Sequence, residues 1–412
     1  MNDARSAGCD ACLRRTHLIA LLAGFIEHER HRRQLPEVLA LSDEELLPAV
    51  AGREVATVRR RIARFDAAAA RRACEAAGLV AICRHDPRYP ARLLDAPDAP
   101  AVLHVAGGPE ALAALAEPME TAPAVAIVGA RRATGYGVEV ARALGRGVAA
   151  AGVTVVSGMA FGVDAAAQAG ALEAGGPTIA VLAGGADAPY PASKRRLYER
   201  IVGRRAPSAD RRAAPEEACS TTAPAAASAG RTEVAGCAVS EMPPGFQPFR
   251  WSFPARNRII AALGGLTVVV EAAERSGSLI TAELASGLGR AVAAVPGQVT
   301  AVQAAGTNAL LADGAALVRD ARDVLDLLLG PGAFEAVDAA TAGAGLEPRL
   351  CAVLEAVAGG LDTPSRLAGG PPDGGGSAEQ VRRASLALTE LELLGHLRRG
   401  PGGHYVVVPG AE

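Results

Sequence analysis

Val125-Ala126-Ile127-Val128-Gly129-Ala130-Arg131-Arg132-Ala133-Thr134-Gly135-Tyr136-Gly137 is the stretch that decides the fold. Four apolar residues of strand type run into a glycine and a polar loop, and a helix begins near Val138. Backbone amides in such a loop, and at the N-terminus of the helix behind it, make a place for a phosphate. Arg131 and Arg132 add positive charge where the loop turns. A lone glycine-rich loop can be no more than a tight strand-to-helix turn, and the paired arginines weigh against that plainer reading.

The arrangement repeats further along. Thr154-Val155-Val156-Ser157-Gly158-Met159-Ala160-Phe161-Gly162-Val163-Asp164 leads into an Ala-rich helix through Leu172, with Asp164 expected as a helix cap. After Val181-Leu182 a third loop ends in Lys194-Arg195-Arg196, read either as a solvated helix face or as a phosphate contact. A fourth stretch, Phe249-Arg250-Trp251-Ser252-Phe253-Pro254-Ala255-Arg256-Asn257-Arg258, sets rings among three arginines. Such rings either stack on bases or fill core gaps. Between Ala124 and Leu328, β-rich runs at 125–128, 153–156, 178–182, 267–270 and 291–295 alternate with helical stretches, the pattern of a parallel sheet wrapped by helices. Ligands of such a sheet bind at its carboxyl edge, where the strand order switches.

Composition bounds what this sheet can serve. The chain has 412 residues, half of them apolar, which at roughly 100–200 residues per domain suggests more than one domain. Its net charge of −2 excludes a global basic field, so any polyanion site is local. Lys194 is the only lysine; the other cations are arginines, whose forked donors suit phosphate. Seven scattered cysteines look unlike a disulfide framework and suit a reducing cytoplasm. Cys9 and Cys12 form a CxxC, but no second CxxC or spaced histidine pair follows, so no metal is expected. Arg14-Arg15 before a short apolar run resembles a twin-arginine signal, yet the charged stretch from Glu27 to Arg33 and the missing cleavage site argue for an ordinary helix. No run reaches the length that spans a bilayer, so no membrane insertion is expected. There is no GxxxxGK[ST], nucleophile elbow or HExxH, so binding is expected rather than catalysis, without a cofactor.

The flanks differ in texture. Residues 1–77 read as a small helical domain of the SAM or helix-hairpin kind, with a helix from about Leu13 to Glu29, a second started by the Ser42/Glu45 capping box, and more helix over 55–77. Strand candidates at 79–82 and 101–105 open the α/β domain, 78–329. Residues 206–236, rich in Ala, Pro, Ser and Thr without apolar periodicity, are expected to be a disordered insertion. A Gly- and Ala-rich linker at 330–347 precedes residues 348–410, where helix, helix and a glycine-turned hairpin suggest a winged helix.

Taken in order, the motifs resemble those of the DNA-processing protein A family (DprA/Smf). They are Gly129-x-Arg131 with Thr134, Tyr136 and Gly137, then Ser157-Gly158-x-Ala160-x-Gly162-x-Asp164, Tyr190-Pro191 and Ser240-Glu241-x-Pro243-Pro244-Gly245. Phe253-Pro254-x-Arg256-Asn257-Arg258, Ser276-Gly277-Ser278-Leu279-Ile280-Thr281-Ala282 and Pro296-Gly297 follow. The resemblance implies an extended Rossmann fold that binds single-stranded DNA, forms a homodimer, and loads a RecA-type recombinase onto incoming DNA in natural transformation. It points to Arg131, Lys194 and Arg256 as phosphate-facing cations. With the loops above, the expected DNA-binding set is Gly129, Arg131, Arg132, Thr134, Ser157, Gly158, Gly162, Lys194, Arg256, Asn257, Arg258, Ser276, Gly277 and Ser278. Three positions depart from the family pattern: Ala130 stands for Ser, Gln168 for His and Lys194 for Asn. The rival reading, a Rossmann-type nucleotide phosphoribohydrolase, lacks its contiguous PGGxGTxxE signature, because Pro296-Gly297 and Gly306-Thr307 are separated.

Overall fold

Apolar tetrads between glycine-bearing loops build the centre of the molecule, because strands covered on both faces need a continuous apolar run. The computed structural model describes residues 8–29, 35–203, 236–331, 347–358, 361–369, 378–394, 396–399 and 404–407. The expected insertion at 206–236 and linker at 330–347 lie almost wholly outside these residues. Two compact units, 1–329 and 330–412, divide the chain.

In the first unit the strands are β1 (Val80–Cys83), β2 (Val102–Gly107), β3 (Ala124–Val128), β4 (Thr154–Ser157), β5 (Thr178–Val181), β6 (Cys237–Ser240), β7 (Leu266–Val269), β8 (Ala291–Ala294) and β9 (Ala316–Leu317). They form one sheet in the order β1-β2-β6-β5-β4-β3-β7-β8-β9. Strands β3 to β9 run parallel, while β2 is antiparallel to both β1 and β6. From β3 the chain winds outward through β4, β5 and β6, then returns to add β7, β8 and β9 on the other side. The order therefore reverses between β3 and β7, and their carboxyl ends flank a crevice. The sequence reading lacked β6, four residues directly after the insertion, and the two-residue β9.

Among the described residues, five α-helices precede the sheet: α1 (Asp10–Glu29), α2 (Leu35–Ala40), α3 (Asp43–Ala51), α4 (Val55–Ile62) and α5 (Ala67–Ala76). The expected capping box starts α3: the Ser42 hydroxyl accepts from Glu45 N at 3.3 Å, and the Glu45 carboxylate accepts from Ser42 N at 3.0 Å. Asp66 caps α5 by accepting from Ala68 N and Ala69 N, which divides the stretch 55–77 into two helices. These helices do not enclose a core alone. Leu18, Leu22, Ile26, Leu46 and Val58 pack with Met242, Trp251 and Ala255 from beyond the sheet's middle strands. Trp251 is thus core rather than a stacking platform, its indole Nε1 donating to Ala23 O at 2.9 Å.

The remaining helices of this unit are α6 (Pro109–Ala113), α7 (Gly135–Ala150), α8 (Val163–Glu173), α9 (Arg195–Ile201), α10 (Ser252–Leu263), α11 (Gly277–Gly287), α12 (Ala305–Ala312) and α13 (Ala321–Leu329). Small residues let α7 and α8 approach closely: a Cβ at Gly145 would strike Ala167 O. Ile259, Ile260 and Leu263 of α10 join Val128, Val156 and Val181 in the main core. Among the described residues, no helix is long and apolar enough to cross a membrane.

His104 in β2 is wholly buried, its Nδ1 has no hydrogen-bond partner, and burial pulls its pKa down to about 4. The native state holds this imidazole neutral, whereas the unfolded chain takes up a proton below about 6.5. Its stability contribution is complete above that pH and falls as pH drops towards 4. Between pH 7 and 5 the loss should be about 2 kcal/mol. Urea midpoints at both pH values, in the native chain and in His104→Leu, check this: the variant should lose that share of the pH dependence.

The second unit carries helices at Pro348–Ala358, Pro364–Leu367 and Ala378–Leu393, and the antiparallel pair β10 (Leu397–Arg399) and β11 (Tyr405–Val407). Leu350, Leu354, Val357, Leu388, Leu391, Leu397 and Tyr405 form its core. The short helix, started by the Thr363 hydroxyl, is an addition to the expected elements.

Candidate nucleic-acid interface

The loop after β3 is held from β7. Ala130 N donates to Glu271 O at 2.6 Å, and the buried Glu271 carboxylate accepts from Thr134 N at 2.8 Å and the Thr134 hydroxyl at 2.9 Å. The same hydroxyl accepts from Gly137 N and so caps α7. Thr134, expected at the ligand, is fully engaged in shaping the loop. Its work leaves Arg131 and Arg132 exposed at the tip.

The loop after β4 packs beneath this one. Ser157, also expected at the ligand, is buried and donates to Ile127 O at 2.6 Å, tying β4 to β3. A Cβ at Gly158 would displace the Arg256 guanidinium, and Gly162 is a glycine of necessity: its φ is 74° and a Cβ there would strike the Ala130 backbone O. Gly162→Ala should therefore cost about 1–3 kcal/mol of stability, checked by its urea midpoint. Asp164 braces the loop instead of capping the helix, because its carboxylate accepts from Gly158 N at 3.1 Å. Burial raises the Asp164 pKa, and Arg256, 3.7 Å away, opposes that rise.

Arg256 is only 7% exposed and donates to Val181 O at 2.7 Å, leaving Nε without a partner. It is a floor cation between two hollows rather than a surface one. Arg258, two residues on and also in the expected set, does not line the crevice. It is 3% exposed and turned into the protein, 2.8 Å from Asp98 and 2.6 Å from Glu241. Residues i and i+2 of a helix point about 200° apart, so the two arginines cannot share one face. Asn257 does line the crevice, donating to Gly277 O at 3.2 Å and so tying α10 to the start of α11.

Where β3 and β7 part, these loops enclose an open cavity of about 1010 Å³. Gly129, Arg131, Arg132, Arg256, Asn257, Ser276, Gly277 and Ser278 of the expected set line it. Ser276 caps α11, accepting weakly from Ser278 N at 3.4 Å, so the amide end of α11 faces the cavity. Arg250 and Arg275, absent from the expected set, complete the rim. Among the described residues, none of Arg131, Arg132, Arg250 and Arg275 forms an ion pair with a carboxylate. Arg275 sits directly before Ser276-Gly277-Ser278, a position that could have drawn notice.

A smaller hollow of about 110 Å³ adjoins the cavity, sharing Arg131, Phe253 and Arg256 and adding Gly158, Phe161 and Tyr190. The Arg131 guanidinium lies 4.8 Å from the Phe253 ring centre, and Tyr190 and Phe253 are 5.4 Å apart. Tyr190 and Phe161 remain 48% and 46% exposed. Lys194 is not brought to the main cavity. Its Nζ lies 5.2 Å from the Phe161 ring, and it lines a separate surface hollow with Arg196 and Arg200. Gln168 is wholly buried, its amide donating to Ile179 O at 3.2 Å, so that departure from the family pattern falls behind the interface.

Fold and crevice together define a Rossmann-type α/β protein with an arginine-rimmed cleft at the switch in strand order. The family model of DNA recombination-mediator protein A matches residues 80–207 and 218–329, and the chain belongs to that family. A DNA processing protein DprA of Streptococcus pneumoniae is 35% identical over 240 residues, which are 58% of this chain and 71% of that protein. A Mycobacterium tuberculosis protein named for DNA processing, DprA, is 43% identical over 210 residues, 51% of this chain. The chain spans about half the length of that relative, 46%. The X-ray structure of the S. pneumoniae protein is similar with a TM-score of 0.54 and 29% identity, over 76% of this chain and 95% of that one.

Proposed function

We propose that this chain binds single-stranded DNA along the arginine-rimmed cleft, protects it, and helps load a RecA-type recombinase in natural transformation or DNA recombination. The observation that carries the reading is the set of four exposed arginines, without an ion pair among the described residues, around two glycine loops and a helix N-terminus. A polyanion supplies what those groups lack, and Arg forks suit phosphate oxygens. Exposed Phe161 and Tyr190 beside Phe253 supply faces for unstacked bases, which a single strand offers and a duplex does not. Membership in a family of recombination mediators supports the same assignment. Asp164, which lines the cleft, and Glu271 behind it are spent on holding loops, which favours binding over bond chemistry. We read the protein as a cytoplasmic homodimer and its second unit as winged-helix-like.

Fluorescence anisotropy of a labelled oligothymidine, with unlabelled single strand or duplex of equal length as competitor, tests the proposal. The single strand should displace the label at much lower concentration than the duplex. Equal displacement by both would contradict single-strand recognition, and release of base from a nucleoside monophosphate would favour the phosphoribohydrolase reading instead.

A further inference from the structure

The CxxC at the start of α1 lacks a second half in its own neighbourhood, and the fold supplies one. Gly8 N donates to Ala81 O at 3.1 Å, which lays the chain before α1 alongside the edge strand β1. Cys9 directly precedes α1, its carbonyl accepting from Leu13 N at 3.0 Å, and Cys12 follows in the first turn. Facing them are Cys83, the last residue of β1, and His85 in the turn that follows, where Asp86 N donates to Cys83 O at 2.8 Å. The His85 Nδ1 atom is 3.5 Å from the Cys9 sulfur and 3.5 Å from the Cys12 sulfur. All four donor atoms lie within 4.8 Å of one another.

We propose that Cys9, Cys12, Cys83 and His85 form a structural zinc site that fastens the start of α1 to the end of the edge strand. Tetrahedral zinc, with Zn–S near 2.3 Å and Zn–N near 2.0–2.1 Å, requires sulfurs about 3.8 Å apart and sulfur–nitrogen separations of about 3.5 Å. The two sulfur–nitrogen distances already meet that requirement, and the 4.8 Å limit leaves at most a small contraction for the rest. Three thiolates and an imidazole are a soft donor set, which selects zinc over magnesium, calcium or manganese. Four protein ligands fill the coordination sphere and leave no open position, so the site is structural rather than catalytic. Cys12 and Cys83 are buried, whereas His85 is exposed, so the metal has an entry side.

The placement gives the metal a mechanical task. β1 is the outer strand of the sheet; the Gly8–Ala81 bond and the packing of Cys12 and Leu13 with Ala81 and Cys83 join it to the start of α1, and Arg71 of α5 steadies that start from the helical side by donating to Gly8 O at 2.9 Å and pairing with Asp10. A zinc ion would add four bonds across that seam. The site lies five strands from β3, apart from the DNA cleft, so the inference stands independently of the DNA-binding reading.

The test uses the full chain, purified reduced and without a histidine tag after growth with zinc, and measures bound metal by elemental analysis. About one zinc per chain is expected in the native protein, falling below a tenth in Cys83→Ser and in His85→Ala, while Cys351→Ser, outside the cluster, retains it. His85 is exposed, so His85→Ala should keep its circular dichroism and report ligation rather than misfolding. Cobalt substitution should give the thiolate charge-transfer and visible bands of a tetrahedral sulfur-rich site, lost in both ligand variants. Metal-free reduced protein that takes up no cobalt, zinc retained in both ligand variants, or a Cys9–Cys12 disulfide in freshly isolated protein would each overturn the proposal.

Discussion

Arg258→Met is expected to destabilise the protein by about 3–5 kcal/mol, because it strands two buried carboxylates. Arg258, Asp98 and Glu241 are almost wholly enclosed, with side-chain exposures of 4%, 4% and 7%. Their charges are tolerable together, since Glu241 and Asp98 hold the guanidinium charged against the cost of burial. With the arginine gone, the carboxylates must either stay charged without a partner or take up protons. Adding Asp98→Asn and Glu241→Gln to Arg258→Met should recover much of the lost stability, because the interior then holds no unpaired charge. Urea midpoints of the single and triple variants measure this. A single variant of native stability with weakened DNA binding would return Arg258 to the interface.

That arginine shows where sequence reading reaches its limit. Arg256 and Arg258 belong to one compact motif, and the motif alone does not say which of them faces the cleft; helical geometry allows only one. Likewise Ser157 and Thr134 sit in the loops beside the cleft but spend their hydroxyls on the backbone and on Glu271. What could be read directly was local: the apolar run into Gly129, the Ser42 capping box, and the alternation that places β3, β4, β5, β7 and β8. Strand β6 escaped because Cys237–Ser240 is short and gains its place only through pairing with β5 and β2. The cluster of Cys9, Cys12, Cys83 and His85 escaped for the same reason. Its halves stand at 9–12 and 83–85, and only the packing of α1 against β1 unites them.

The second large effect concerns the cleft. Replacing Arg131, Arg132 and Arg275 together by alanine should weaken oligothymidine binding roughly 100-fold, if each guanidinium contributes about 1 kcal/mol to a charged hydrogen bond. All three are exposed and make no ion pair among the described residues, so their removal leaves no ion-paired carboxylate behind, and Arg256 still faces Asp164. The urea midpoint of the triple variant should stay close to native, which separates a binding defect from a folding defect.

Salt titration of oligothymidine affinity in native protein and in that triple variant is the most direct measurement of the central claim. Each phosphate contact on a single strand contributes about 0.7 to the slope of log affinity against log salt, so the variant's slope should be shallower by roughly 2. Slopes that coincide, with affinity unchanged, would show that the arginine-rimmed cleft is not where this protein holds DNA.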